Sequence, residues 1–245
     1  GYPAAALLGE AGVGKTVTAL KFLADQPAGG QKVFLPAAKF ARPVDLFQAI
    51  LFDLGVEFRG LTETEARLAV TDRLLTAVEA GGPTVLVLDE AQLLGDEVLE
   101  EVRLLGNLSG RAGPAAFVVL VGAESLADRL AGSPLAGRLA ARHTFTPLDA
   151  DDSGRFIRDQ LAAAGGRADR LIDDEAVGLL AAHCAGSPRL LNQAAAAAFA
   201  LAEGSVDAEA VVEVLTRLGV YEEPPPVLPH PAQAAGRRGR KRKSA

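Results

Sequence analysis

The sequence predicts an α/β fold, a parallel β-sheet flanked by helices and followed by a small all-helical domain. Three observations predict it. Short apolar runs alternate with segments of helical period as far as Pro147, and strands separated by helices pair in parallel. The run Val85-Leu86-Val87-Leu88 has no polar alternation, as a central strand covered on both faces requires. Beyond Pro147 the helical period continues with no further strand pattern.

Taken in order, strands are expected at residues 4–8, 33–35, 84–88, 116–121, and 144–145 with its neighbours. Between them, residues 61–80 and 96–108 read as helices. Thr62 and Glu65 have the spacing of a capping box, and Gly81-Gly82-Pro83 ends that helix. Residues 149–164, 173–184, 188–202 and 207–218 then read as helices, with Asp149 and Asp173 placed as N-caps. The stretch from Ala194 to Ala198 favours helix and suits close packing. From Gly219 the chain turns to Glu222-Glu223-Pro224-Pro225-Pro226 and ends in a basic run, a composition unable to bury apolar surface. The expected organisation is a sheet domain over 1–147, a helical domain over 148–219 and a disordered Pro-rich and basic tail over 220–245.

Composition agrees with a folded body. Of 245 residues, 49% are apolar and 5% aromatic, enough for a core built mainly from Ala, Leu and Val. Charged residues make up 23%, which excludes general disorder. The net charge of −6 is unevenly spread. Six basic residues (Arg237, Arg238, Arg240, Lys241, Arg242, Lys243) lie in the last nine positions. Without them, 19 basic residues face 31 acidic ones, a balance of −12. The single cysteine, Cys184, has no intramolecular disulfide partner, and no Cys/His cluster has zinc spacing. No apolar run approaches the roughly 18 residues of a membrane span, and the start lacks an export-signal pattern. A reducing, cytoplasmic setting is expected.

Gly9-Glu10-Ala11-Gly12-Val13-Gly14-Lys15-Thr16 matches the phosphate-loop pattern, with a strand before it and a helical run after it. Each residue type has a task there. Glycines let backbone N–H groups turn inward around phosphate oxygens, and the helix N-terminus adds partial positive charge. Lys15 neutralises the terminal phosphates, and Thr16 supplies a hydroxyl for Mg²⁺.

A second constellation follows the apolar run at 85–88. Asp89 and Glu90 emerge at the C-terminal end of a strand, where ligands bind in open α/β sheets. Asp89 is expected to hold Mg²⁺ through water. Glu90 is expected to orient or deprotonate the attacking water near the γ-phosphate. His143 and His183 have neither a paired nucleophile nor ligand spacing, so no chemistry is assigned to them.

The phosphate loop, the carboxylate strand, a strand ending at Gly122, and a helical region containing Gly186-Ser187-Pro188-Arg189 together resemble the AAA+ ATPases. The resemblance covers about residues 3–218. Leu99-Glu100-Glu101-Val102-Arg103-Leu104-Leu105-Gly106-Asn107-Leu108, Leu120-Val121-Gly122 and Ser187-Pro188-Arg189-Leu190-Leu191-Asn192 look like ExeA-type secretion ATPases and their TniB-like transposition relatives. Both belong to the ORC/DEAH-like group. The resemblance implies a P-loop NTPase sheet followed by a helical lid.

It also implies roles. Arg189 corresponds to the sensor-2 arginine, reaching from the lid to the nucleotide. Arg138 and Arg142 precede the fifth strand, where the family places an arginine finger acting on a neighbouring subunit; Arg138 is favoured over Arg142. At sensor 1, relatives carry a polar residue after Val-Gly, whereas this chain has Ala123, Glu124 and Ser125. The phosphate-loop strand begins within a few residues of Gly1, so the segment that helps hold adenine in relatives is expected to lie outside this chain, and no adenine contact is assigned.

The expected function is Mg²⁺-dependent ATP binding and hydrolysis coupled to self-association and to a macromolecular partner. DNA, as in transposition helpers, comes first. The alternatives are an ExeA-like assembly ATPase acting with a secretion component, and a nucleotide-loaded switch with little turnover. The basic tail suits nucleic-acid phosphates, an anionic membrane surface, or plain solubilisation. Without interleaved aromatics, any nucleic-acid binding through it is expected to be salt-sensitive and weakly sequence-specific.

Overall fold

The computed structural model describes residues 4–27, 29–202 and 204–221. The expected tail over 220–245 lies outside the described residues except for its first two positions.

The elements run in the order a strand–helix alternation dictates. β1 (Ala4–Gly9) leads into α1 (Lys15–Asp25), β2 (Lys32–Leu35), α2 (Pro43–Asp53) and α3 (Glu63–Ala80). Next come β3 (Thr84–Leu88), a 3₁₀ turn at Ala91–Leu93 and α4 (Asp96–Gly106). A two-residue antiparallel pair, β4 (Ser109–Gly110) and β5 (Gly113–Pro114), precedes β6 (Ala116–Gly122). α5 (Ser125–Ala131), a 3₁₀ turn at Ala136–Arg138 and β7 (Leu139–Phe145) complete the sheet region. The helical part holds α6 (Ala150–Ala163), α7 (Ala168–Leu171), α8 (Asp174–His183), α9 (Pro188–Leu201) and α10 (Ala208–Arg217).

Five strands form one parallel sheet in the order β2-β3-β6-β1-β7. Register aligns their C-terminal ends. Leu8 of β1 lies opposite Gly122 of β6, Gly9 opposite Phe145 of β7, and Leu88 of β3 opposite Leu120 of β6. The loops after β1, β3 and β6 therefore leave the sheet side by side.

Side-chain alternation with a period of two sends each central strand to two cores. Leu86, Leu88, Val118 and Leu120 join α2, α3 and α4 through Phe47, Ile50, Leu74 and Val102. Val85, Val87, Val119 and Val121 face the other way, against Ala19 and Leu23 of α1. Every residue of β3 is buried, which accounts for its unbroken apolar sequence. By contrast, the five middle residues of β7, at the sheet edge, are exposed.

α6, α8, α9 and α10 pack around their own core, in which Ile157, Leu180, Cys184, Leu191, Ala194, Ala198, Val211 and Leu215 are buried. Ala194 and Ala198, four residues apart on α9, are buried in that core, as the close packing expected of the Ala-rich stretch requires. One bridge, Ile172 to Val206, adds a trace of strand pairing among these helices. No helix among the described residues is long and apolar enough to cross a membrane.

The capping signals are met. Thr62 and Glu65 close a reciprocal capping box on α3, while Asp149 and Asp173 accept N–H bonds from Asp152 and Ala176. α2, α5, α7 and the β4–β5 pair are additions to the sequence reading, and β7 is longer than expected. That length corrects the placement of Arg142. It does not precede the fifth strand of the sheet but lies within it, opposite Ala6, because pairing with β1 begins at Leu139.

Candidate nucleotide-binding site

The loop after β1 owes its shape to glycine. Gly12 and Gly14 have φ of +88° and +99°, in the left-handed region that other residues adopt at a cost. Gly14 is the N-cap of α1 and offers no side-chain cap, and the first turn holds no acidic residue. The orphan N–H groups of that turn thus lie at the positive end of the helix dipole, a setting that attracts anions. Glu10, Ala11 and Val13 complete the loop.

Lys15 opens α1. Its ammonium donates to the carbonyls of Gly9 at 2.9 Å and Glu10 at 2.6 Å, folding over the loop. Burial lowers its pKa, opposed by the carboxylates of Glu90 and Asp89, while the Arg189 charge pushes it down further. Lys15, Asp89, Glu90 and Arg189 therefore share one electrostatic neighbourhood.

Thr16 and Asp89, 73 residues apart, meet directly: the threonine hydroxyl donates to Asp89 Oδ2 at 2.6 Å. Asp89 is only 5% exposed, and its Oδ1 accepts the Glu90 N–H at 2.9 Å. Among the described residues no group of three or more His, Cys, Asp and Glu forms a metal cage. A hydroxyl beside one buried carboxylate instead fits Mg²⁺, which keeps several waters and takes its remaining ligands from substrate phosphates.

Glu90 has φ +55° and ψ +36°, a left-handed conformation uncommon for a residue with a side chain. Its Oε2 accepts from Gln92 Nε2 at 2.6 Å. Gln92 Oε1 in turn accepts the Ala123 N–H at 3.0 Å, at the end of β6. Sequence reasoning missed this amide. The available signal was the Asp89-Glu90-Ala91-Gln92 run itself, with a side-chain donor two positions after the second carboxylate.

The helical part reaches the loop through α9. Ser187 caps the helix by accepting the Leu190 N–H at 3.4 Å, with Pro188 at the first helical position. The Arg189 N–H donates to the Gly12 carbonyl at 3.2 Å. A Cβ on Gly12 would lie 2.7 Å from Ser187 Oγ and 3.2 Å from Arg189 Cβ. The lid rests on the loop backbone itself.

Arg138 is not brought to this cluster within the chain. It lies on the 3₁₀ turn before β7, and its Nη1 donates to Asn107 Oδ1 at 2.6 Å. His143 stacks edge-on against Phe145 and His183 lies against Tyr221, with ring centroids 4.8 Å and 5.0 Å apart.

The sequence and the fold both have counterparts among known proteins. Residues 2–130 match the family model described as AAA domain. General secretion pathway protein A of Aeromonas hydrophila is 31% identical over 194 residues, spanning 76% of this chain and 34% of that protein, so the chain covers about a third of that relative. The ORC2 protein of Aeropyrum pernix in its ADPNP-ADP complexes superposes with a TM-score of 0.72 at 17% identity, over 88% of this chain and 62% of that one. The ORC1 protein of the same organism in complex with DNA gives 0.67 at 23% identity, over 88% and 59%. These solved structures share the fold. With more than half of its length matched by the family model, the chain belongs to the AAA+ ATPases.

Proposed function

We propose that the chain binds ATP with Mg²⁺, cleaves the β–γ phosphoanhydride, and uses the nucleotide state to set the position of the helical lid (148–219) on the sheet domain (1–147). The observation that carries this reading is the 2.6 Å hydrogen bond between Thr16 and Asp89, through which the two sequence motifs meet. The inward-turned amides from Gly12 to Thr16 bind phosphate oxygens, and the Lys15 ammonium exchanges loop carbonyls for the terminal phosphates. Thr16 and Asp89 would hold Mg²⁺, which neutralises charge on the phosphates. Glu90 orients the attacking water and accepts its proton as ADP and inorganic phosphate separate. Arg189 reports phosphate state to the lid. Arg138, free of the chain's own site, completes that of a neighbouring copy.

The test compares Lys15→Ala with Glu90→Gln. The first is expected to lose nucleotide affinity. The second is expected to bind ATP at near wild-type affinity and turn it over at least about 100-fold more slowly, because only it spares the phosphate cradle. Equal turnover in both variants and wild type would reject the assignments.

For the partner we propose DNA, engaged in the manner of a transposition helper by a homo-oligomer in the cytoplasm. The basic C-terminal run and the fold shared with a DNA-bound ORC1 protein support it. The 31% identity to General secretion pathway protein A supports a second reading, assembly work with a secretion component. Phosphate release measured with and without duplex DNA separates them. Stimulation that falls as salt rises favours DNA. Stoichiometric ATP binding without release under either condition points to the nucleotide-loaded switch.

A further inference from the structure

We propose that Gln92 is the positioning residue for Glu90, tying the hydrolytic carboxylate to the end of β6 through the backbone of Ala123. The inference rests on the role given to Glu90 above and adds a residue to that machinery.

Val121-Gly122 closes β6, and the next residue is Ala123. Its side chain has no hydrogen-bonding group. Its backbone N–H does, and donates to Gln92 Oε1 at 3.0 Å. The same amide donates through Nε2 to Glu90 Oε2 at 2.6 Å. One planar group thus spans strand end and carboxylate, occupying one oxygen of Glu90 and leaving the other for water. The backbone that carries this side chain is held as well, since Arg129 Nη1 of α5 donates to the main-chain carbonyl of Gln92 at 2.8 Å.

Two backbone features make room for the link. Glu90 adopts its left-handed conformation, which turns the chain sharply enough for Gln92 to fold back on it. Gly122 lies under the amide, where a Cβ would stand 2.6 Å from Gln92 Oε1 and 2.8 Å from Leu126 Cδ2. Strain kept at such a turn is the kind that a positioned functional group accounts for.

The test uses Gln92→Leu, which keeps much of the side-chain volume but removes both hydrogen bonds, and Gln92→Glu, which keeps the shape but turns the donor facing Glu90 into an acceptor. Both are expected to lower kcat about 10- to 100-fold while nucleotide affinity stays within about twofold, the pattern of a lost orientation. Gln92→His, which retains a ring donor and a ring acceptor, is expected to recover part of that loss. Gly122→Ala should show the same kcat defect by displacing the amide. Amide hydrogen exchange supplies a readout independent of turnover, with Ala123 N–H exchanging faster in Gln92→Leu than in wild type at equal thermal stability.

Wild-type kcat in Gln92→Leu, or a kcat above wild type, overturns the proposal, the latter because the amide would then be withholding the carboxylate. Unchanged Ala123 exchange overturns it too. Glu90→Gln, run alongside, keeps the failures distinct. Full activity there removes the assignment of Glu90 itself, whereas an inactive Glu90→Gln with active Gln92 variants removes only the role of Gln92.

Discussion

At Gly12, two demands coincide in one residue. Its φ of +88° gives the loop a left-handed turn, and its bare Cα leaves room for Ser187 and Arg189 at the start of α9. Gly12→Ala meets both obstacles, a left-handed backbone costing about 1–2 kcal/mol and a Cβ 2.7 Å from Ser187 Oγ. We expect this variant to weaken nucleotide binding at least about tenfold and to loosen the lid, measured by titration with a fluorescent ATP analogue and by amide exchange in α9. Gly14→Ala is the comparison, because nothing lies within 4 Å of its added Cβ and only the backbone penalty remains. Most candidate residues at this scale were legible in the sequence. Phosphate chemistry fixes the types and spacing of Gly12, Gly14, Lys15 and Thr16, and a strand followed by Asp89 and Glu90 carries a similarly narrow pattern. Gln92 was not legible in its contacts, because one of its two partners is a backbone amide, and any residue but proline supplies that group.

Helix termini and strand burial carry the element scale. Thr62 and Glu65 satisfy each other's backbone N–H groups at the start of α3, so Thr62→Ala should cost about 1 kcal/mol in urea unfolding. Leu74, fully buried in the middle of the same helix, should cost about 2–5 kcal/mol on truncation to Ala. A ranking with Thr62→Ala the more damaging would contradict the packing described. Four sheet strands, β7 excepted, and the four longer lid helices were legible, the strands from their short apolar runs and the helices from their period. α2 was not, since its eleven residues are so largely apolar that period alone does not tell helix from strand. β7 was read too short for the opposite reason. Its middle residues are exposed, so Arg142 and His143 broke the apolar run expected of a strand.

Over the whole molecule, the separate cores on the two sheet faces and in the lid allow parts to be probed independently. Cys184, buried in the lid core, has its thiol pKa pushed up from 9.0 to about 11 by burial. The folded protein therefore keeps this proton at pH values where the unfolded chain releases it. That contribution to stability is complete below pH 9 and is lost as pH rises toward about 11. A thiol reagent at neutral pH should label Cys184 only as fast as the lid opens, and labelling as rapid as that of an unfolded control would refute its burial. Association between copies has its own test. Arg138→Ala and Lys15→Ala proteins, each inactive alone, should regain phosphate release when mixed, because one supplies an intact loop and the other an intact arginine. No recovery at any mixing ratio would remove Arg138 from that role.

The shared register of β1, β3 and β6 also sets where this chain tolerates changes in length. One residue inserted within β3 would exchange Val85 and Val87 with Leu86 and Leu88 between the two faces, and would carry Asp89 past the hydroxyl it meets. The same insertion in the turn between β4 and β5 would leave every strand end in place. Natural and engineered length variation should therefore collect in such turns and spare the strands, whose residue count acts as the ruler for the chemistry at their tips.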